Sequence, residues 1–134
     1  MADISITDDR ARAFATALQT FEKNGDVAAF AALFAADAVT QRFDARGERR
    51  GEVAQFWQEY RAQFESVSTM FTDVVDGGDR FALEWTSEGT VTGGRPLQYR
   101  GVTVVDLDGA VITQLCTYYD SAQFAAAVSA TTSD

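Results

Sequence analysis

The chemistry open to this chain is bounded by what it lacks. Its 134 residues include no histidine and a single cysteine. That removes every Ser-His-Asp and Cys-His nucleophile pair and every His-bearing zinc or iron site. Acid–base work must fall to carboxylates, tyrosines, lysines or Cys116. Several of these crowd one stretch, Gln114 to Asp120, reading QLCTYYD. A nucleophilic Cys116 would need a neighbouring cation, commonly histidine, to hold it as thiolate. With none available, it reads as a small buried hydrophobe within a strand. Asp120 precedes Ser121, Ala122 and Gln123 at the spacing of a capping box, which assigns its carboxylate to a helix start. The competing reading places it at the mouth of a cavity. Tyr118 and Tyr119 are adjacent, so a strand sends only one of them inward.

Three further groups carry possible chemistry. Glu84, Thr86 and Glu88 fall on one face of an alternating segment whose other face holds Phe81, Leu83 and Trp85. If the apolar set faces the core, the glutamates face solvent or a partner subunit. In the opposite register, desolvation would make Glu84 a general acid or base. Arg42, Asp44, Arg46, Arg49 and Arg50 form the densest positive stretch. It reads as a solvated loop with local ion pairs, or as a guide for an anionic ligand. Its glycines match neither common phosphate-binding pattern. Val53, Phe56, Trp57, Tyr60 and Phe64 recur at i, i+3, i+4, i+7 and i+11, a wide aromatic stripe. With Phe43, it reads as core or as the wall of a cavity for a flat apolar ligand.

The elements that must position these groups follow from periodicity and punctuation. Thr7 is a candidate N-cap, with Asp8 and Asp9 in the first turn. Phe14, Leu18 and Phe21 give the first helix its face, and Asn24-Gly25 ends it. Asp26 caps a short second helix with Phe30, Leu33 and Phe34 on one side. A short strand is expected over Val39–Phe43, a charged loop over Asp44–Gly51, and then the aromatic third helix. Strands follow over Ser68–Val75, Arg80–Val91, Leu97–Val105 and Val111–Tyr119, separated by DGGD, TGGRP and DLDG turns. A short Ala-rich helix over Ser121–Val128 closes the order. Helices first and a meander later predict an α+β chain, a curved antiparallel sheet wrapped around three N-terminal helices.

Composition narrows the partners. Eleven basic against twenty acidic residues give a net charge of −9. That argues against nucleic acid or an anionic membrane surface as partner. One cysteine allows no internal disulfide. The opening MADISITDDR has neither a basic start nor an apolar run, so no signal peptide is expected. No segment suits a membrane span. The expected location is cytoplasmic.

The order of elements, together with NGDVAAFAALFAADAV (Asn24–Val39), EWTSEGTVTG (Glu84–Gly93) and GVTVVDLDGAVITQLCTYYDSAQF (Gly101–Phe124), resembles the nuclear-transport-factor-2-like superfamily, closest to its SnoaL-like and limonene-epoxide-hydrolase-like branch. The resemblance implies a cone-shaped α+β roll, cystatin-like, and one domain over residues 1–134 with an ordered core over about 7–128. By the family's alternation Leu115, Thr117 and Tyr119 share the cavity face, and Glu84 and Thr86 point inward. The epoxide hydrolases hold their reacting water with an Asp whose position falls on Thr117 and an Arg-x-Asp that falls near Glu84–Thr86. In ketosteroid isomerases the base Asp falls near Arg42, with Asp44 close by, and the oxyanion-hole Tyr of the first helix has no counterpart. In polyketide cyclases the His-bearing position of the final strand is again Thr117. The frame is kept, and each catalytic position that can be placed carries another residue.

The reading that results is a protein that binds a small apolar or amphipathic molecule, as a homodimer joined through the outer face of its sheet, with no metal or organic cofactor. The candidate catalytic residues are Glu84, Asp44, Tyr119 and Thr117, acting in isomerisation, cyclisation or dehydration. The candidate ligand-binding residues are Trp57, Tyr60, Phe43, Leu115 and Phe64. A non-catalytic binding or dimerisation module, and a hydrolase with water held by Thr117 and Glu84, stand beside it. A catalytic cone must hold a carboxylate within hydrogen-bond reach of a Tyr or Thr.

Overall fold

The computed structural model describes residues 6, 8–44, 47–120 and 122. Helix α1 (Asp9–Asn24) starts where Asp8 accepts hydrogen bonds from the amides of Arg10 (2.9 Å) and Ala11 (3.0 Å). Asp8 is therefore the cap; Thr7, expected in that role, lies outside the described residues. Gly25 ends the helix with φ 72°, a left-handed conformation that glycine adopts without a Cβ clash, and donates to the Phe21 carbonyl at 2.7 Å. Ala11, Phe14, Ala15, Leu18, Phe21 and Glu22 form the buried stripe. Helix α2 (Val27–Ala31) is shorter than its apolar pattern suggested, and Phe34 opens strand β1 (Phe34–Asp44).

The expected loop over Asp44–Gly51 contains strand β2 (Gly47–Gly51), paired antiparallel with β1. β2 is an edge strand, where charged residues such as Glu48, Arg49 and Arg50 are common because they discourage pairing with other chains. After α3 (Val53–Ala62) come β3 (Phe64–Asp76), β4 (Arg80–Val91), β5 (Pro96–Asp108) and β6 (Val111–Tyr119). Phe64, read as the end of the helical stripe, is the first residue of β3. The helix expected over Ser121–Val128 falls almost wholly outside the described residues. Asp120 nevertheless accepts from the Ala122 amide at 3.1 Å, as a cap would.

The strands form one sheet in the order β2-β1-β6-β5-β4-β3. Its β1–β6 pair is parallel, which makes the sheet mixed rather than wholly antiparallel. Parallel pairing needs a long crossover, and the whole chain between the first and last strands supplies it. Register shifts in β3 and between β5 and β6 bend the strands, as bulges do, so the sheet curls over the helices. Phe14, Phe21 and Phe30 from the helices meet Phe71, Leu83, Val105 and Leu115 from the sheet in a core where each is at most 2% exposed. Arg10 fastens the start of α1 to the far turns by donating to the carbonyls of Gly78 and Gly109.

Candidate functional site

A cavity of about 40 Å³ lies between α1, α3 and the inner face of the sheet. Its wall is largely aromatic. Phe56, Trp57 and Tyr60 come from α3, Trp85 from β4, Tyr99 from β5 and Tyr119 from β6. The rings pack edge to face in two groups, Trp57 on Tyr60 (5.5 Å), and Trp85 on Tyr99 (5.4 Å) with Tyr99 on Tyr119 (5.7 Å). Phe64 links the two halves, 5.5 Å from Tyr60 and 6.5 Å from Tyr99.

Trp85 owes its place to a glycine. It pairs across the β4–β5 ladder with Gly101, and a Cβ on Gly101 would stand 2.6 Å from the indole Cζ2 and overlap the Tyr118 carbonyl oxygen. The missing side chain lets the indole lie over the strand, and its Nε1 then donates to Thr103 Oγ1 at 2.8 Å. Thr103 and Thr117 share a hydrogen bond of 2.9 Å, so Thr117 belongs to a buried hydroxyl chain on the cavity wall.

The polar centre is built on Glu22. Helical spacing puts it four residues after Leu18, on the buried face of α1, and it is 2% exposed. Its Oε1 accepts from the Thr69 amide at 2.9 Å. Its Oε2 accepts from the Tyr60 hydroxyl and from Thr69 Oγ1, both at 2.6 Å. Thr69 Oγ1 lies 2.7 Å from Ser87 Oγ, and Tyr60, Thr69 and Ser87 all face the cavity. Burial pushes the Glu22 carboxyl above the usual carboxylate range, against the pull of its Thr69 and Tyr60 donors and of the Arg61 charge. Tyr60 is driven well above the ordinary phenol value, first by burial and then by the neighbouring Tyr99 and Glu22. Tyr99 rises for the same first reason. The arrangement can hold a proton on Glu22 and present a phenolic hydroxyl to whatever occupies the cavity.

The residues expected from the sequence divide. Trp57, Tyr60, Thr117 and Tyr119 line the cavity together. Leu115 is wholly buried among core residues rather than on the cavity wall, and Phe64 packs behind it. Glu84 is exposed on the outer face, because the apolar residues Leu83 and Trp85 take the inner one; this corrects the inward register. The side chains of Phe43 and Asp44 lie outside the described part. Cys116 is buried, its thiol donating to Gln41 Oε1 at 3.1 Å. The carboxylate within reach of Tyr and Thr is Glu22, which sequence reasoning passed over. Its signal was present, an acidic residue on the apolar stripe of an amphipathic helix. Arg42, expected at the end of a short strand and grouped with the charged stretch that follows it, lies in β1 opposite Thr117 and on the cavity wall.

Comparison with known proteins places this geometry. The family model described as "SnoaL-like domain" matches residues 11–115. A search of curated proteins finds no match. Among solved structures, the chain is similar to a hypothetical protein with a ketosteroid isomerase-like fold from Catenulispora acidiphila, in complex with trimethylamine. The two share 24% identity with a TM-score of 0.73, over 91% of this chain and 93% of that one. It is similar to a putative polyketide cyclase from Streptomyces antibioticus at 20% identity and TM-score 0.70, over 89% and 97% of the chains. It is also similar to TerC co-crystallised with polyporic acid, at 13% identity and TM-score 0.74, over 90% and 95%. At these identities the likeness is one of fold. With the family model spanning most of its length, the chain belongs to the SnoaL-like domain family.

Proposed function

We propose that the chain binds a small, largely apolar molecule in the aromatic cavity and moves a proton on it, as an isomerase, cyclase or dehydratase would. One observation carries this reading: Tyr60, on the cavity wall, is 2.6 Å from the carboxylate of Glu22, a group removed from water. With Glu22 protonated, its O–H donates to the Tyr60 oxygen, and Tyr60 turns its own hydroxyl toward the ligand. Tyr60 then gives its proton to a ligand oxygen as it takes one from Glu22. The relay runs backward when a proton leaves the ligand's neighbouring carbon. Between the two steps the positive charge on the ligand is balanced by the Glu22 carboxylate. The cavity volume, well below the ~300–1,000 Å³ of drug-sized sites, supports a ligand of modest size.

The test is α-proton exchange of phenylacetone in D2O, followed by NMR. Exchange faster than in buffer, lost in Tyr60→Phe and reduced in Glu22→Gln, is the expected result. Equal rates for the protein and buffer would refute proton transfer. A second reading, binding without chemistry, draws on the fact that no carboxylate is among the described residues that line the cavity. It predicts saturable binding of phenylacetone with no gain in exchange.

A further inference from the structure

Two nitrogens in the cavity wall are unusual. Arg42 Nε and Trp57 Nε1 are buried without a hydrogen-bond partner among the described residues. Both residues line the same cavity, and Trp57 as a whole is 5% exposed. Other donors on the same wall have an acceptor within the fold: Tyr60 has Glu22, Trp85 has Thr103, and Thr69 has Glu22. A buried N–H left unmatched costs about 1–3 kcal/mol, so two in one cavity mark a place where an acceptor belongs. Arg42 also brings a positive charge, and it forms no ion pair with a described residue. Its position is fixed rather than incidental. Cα register sets it opposite Thr117 across the parallel β1–β6 pair, and both side chains face the cavity.

We propose that the cavity's ligand is a small apolar carboxylic acid, its carboxylate accepting from Arg42 Nε and Trp57 Nε1 while its body lies against the tyrosine and tryptophan rings. The proposal rests on the ligand-binding reading above and gives that ligand its chemical class. An anion suits a cation held in low dielectric, where a charge-assisted hydrogen bond is about twice as strong as a neutral one. The aromatic rings alone would equally suit a small organic cation, but the Arg42 charge on the same wall opposes one.

The experiment titrates the full-length protein with benzoate, benzyl alcohol and trimethylamine, reading tryptophan fluorescence, since Trp57 and Trp85 both face the cavity. Benzoate should bind most tightly. Arg42→Gln should weaken benzoate by about 10- to 100-fold and benzyl alcohol by less than about threefold. Trp57→Phe, which keeps a ring but loses the N–H, should weaken benzoate by roughly 3- to 10-fold. If Arg42→Gln fails to fold, Trp57→Phe and Arg42→Lys carry the test, the latter keeping the charge and losing the guanidinium fork. Benzyl alcohol binding as tightly as benzoate, or benzoate affinity unmoved in the variants, overturns the carboxylate assignment and leaves ligand binding intact. Trimethylamine binding in place of benzoate overturns it in favour of a cation. Binding of none of the three overturns the ligand-binding reading and this assignment with it.

Discussion

Glu22 offers the sharpest test of the site, because two substitutions separate its hydrogen bonds from its charge. Glu22→Leu removes three accepted bonds. Thr69 Oγ1 retains Ser87, and the Tyr60 hydroxyl can turn into the cavity, so their losses are modest. The Thr69 amide cannot turn, and it stays buried without an acceptor at a cost of about 1–3 kcal/mol. The two hydroxyl bonds add about 0.5–1.5 kcal/mol each, and burying leucine returns about 1.5–3 kcal/mol. A net loss of about 2 kcal/mol follows, which lowers Tm by roughly 5–10 °C for a chain of this length. Glu22→Gln behaves differently. Its oxygen keeps the Thr69 amide, and its NH2 donates to the two hydroxyl oxygens, reproducing the protonated acid. Burial raises the Glu22 pKa above its ordinary value of 4.5. Between 4.5 and the higher folded value the folded chain holds a proton the unfolded chain has lost, so Glu22 makes stability fall as pH rises through that window. Each tenfold difference in proton affinity is worth about 1.4 kcal/mol. Urea unfolding across pH 4 to 8 should therefore show Glu22→Gln equal to wild type at the acid end and more stable at pH 8. A difference curve sloping the other way would refute the reasoning, since the ionised carboxylate would then be favoured by its donors over the cost of burial.

Other expectations bear on neighbouring parts of the structure. Gly101→Ala should cost at least about 2 kcal/mol in chemical denaturation and shift tryptophan fluorescence, because its Cβ meets Trp85 and the Tyr118 carbonyl. Glu84→Gln should leave stability within about 0.5 kcal/mol of wild type and benzoate binding unchanged, as expected of an exposed side chain on the outer face. Cys116 should react with a thiol reagent only after unfolding, being 9% exposed; prompt native-state labelling would contradict its placement. Asp8→Ala should cost about 1 kcal/mol by thermal melt. Asp8 is held below its ordinary value first by the Ala11 amide, so its contribution is complete above pH 3.8 and is lost as pH falls through the lower folded value.

Much of the frame was legible because local rules and tertiary packing agree there. The stripe from Ala11 to Phe21 fixes α1, and strands β4 and β6 begin and end where alternation and turn glycines place them. β2 was missed because GERRG has the composition of a solvated loop, and what makes it a strand is a partner, β1, supplied from outside the segment. Phe64 was misassigned because one apolar residue at i+11 fits a helical stripe and also the start of a strand.

The site was less legible. Sequence alone determined that no histidine chemistry is possible, that one helix carries an aromatic face, and that Glu84 and Trp85 must point in opposite directions. It did not determine which of those two points inward. Trp85 wins because a Gly101 across the ladder leaves room for its indole and Thr103 accepts its N–H, both partners distant in sequence. In the same way, Glu22 becomes a proton-holding group only when β3 brings Thr69 over it and α3 brings Tyr60. Periodicity can place a residue on a face, but whether that face meets water, core or a hydroxyl depends on elements dozens of residues away.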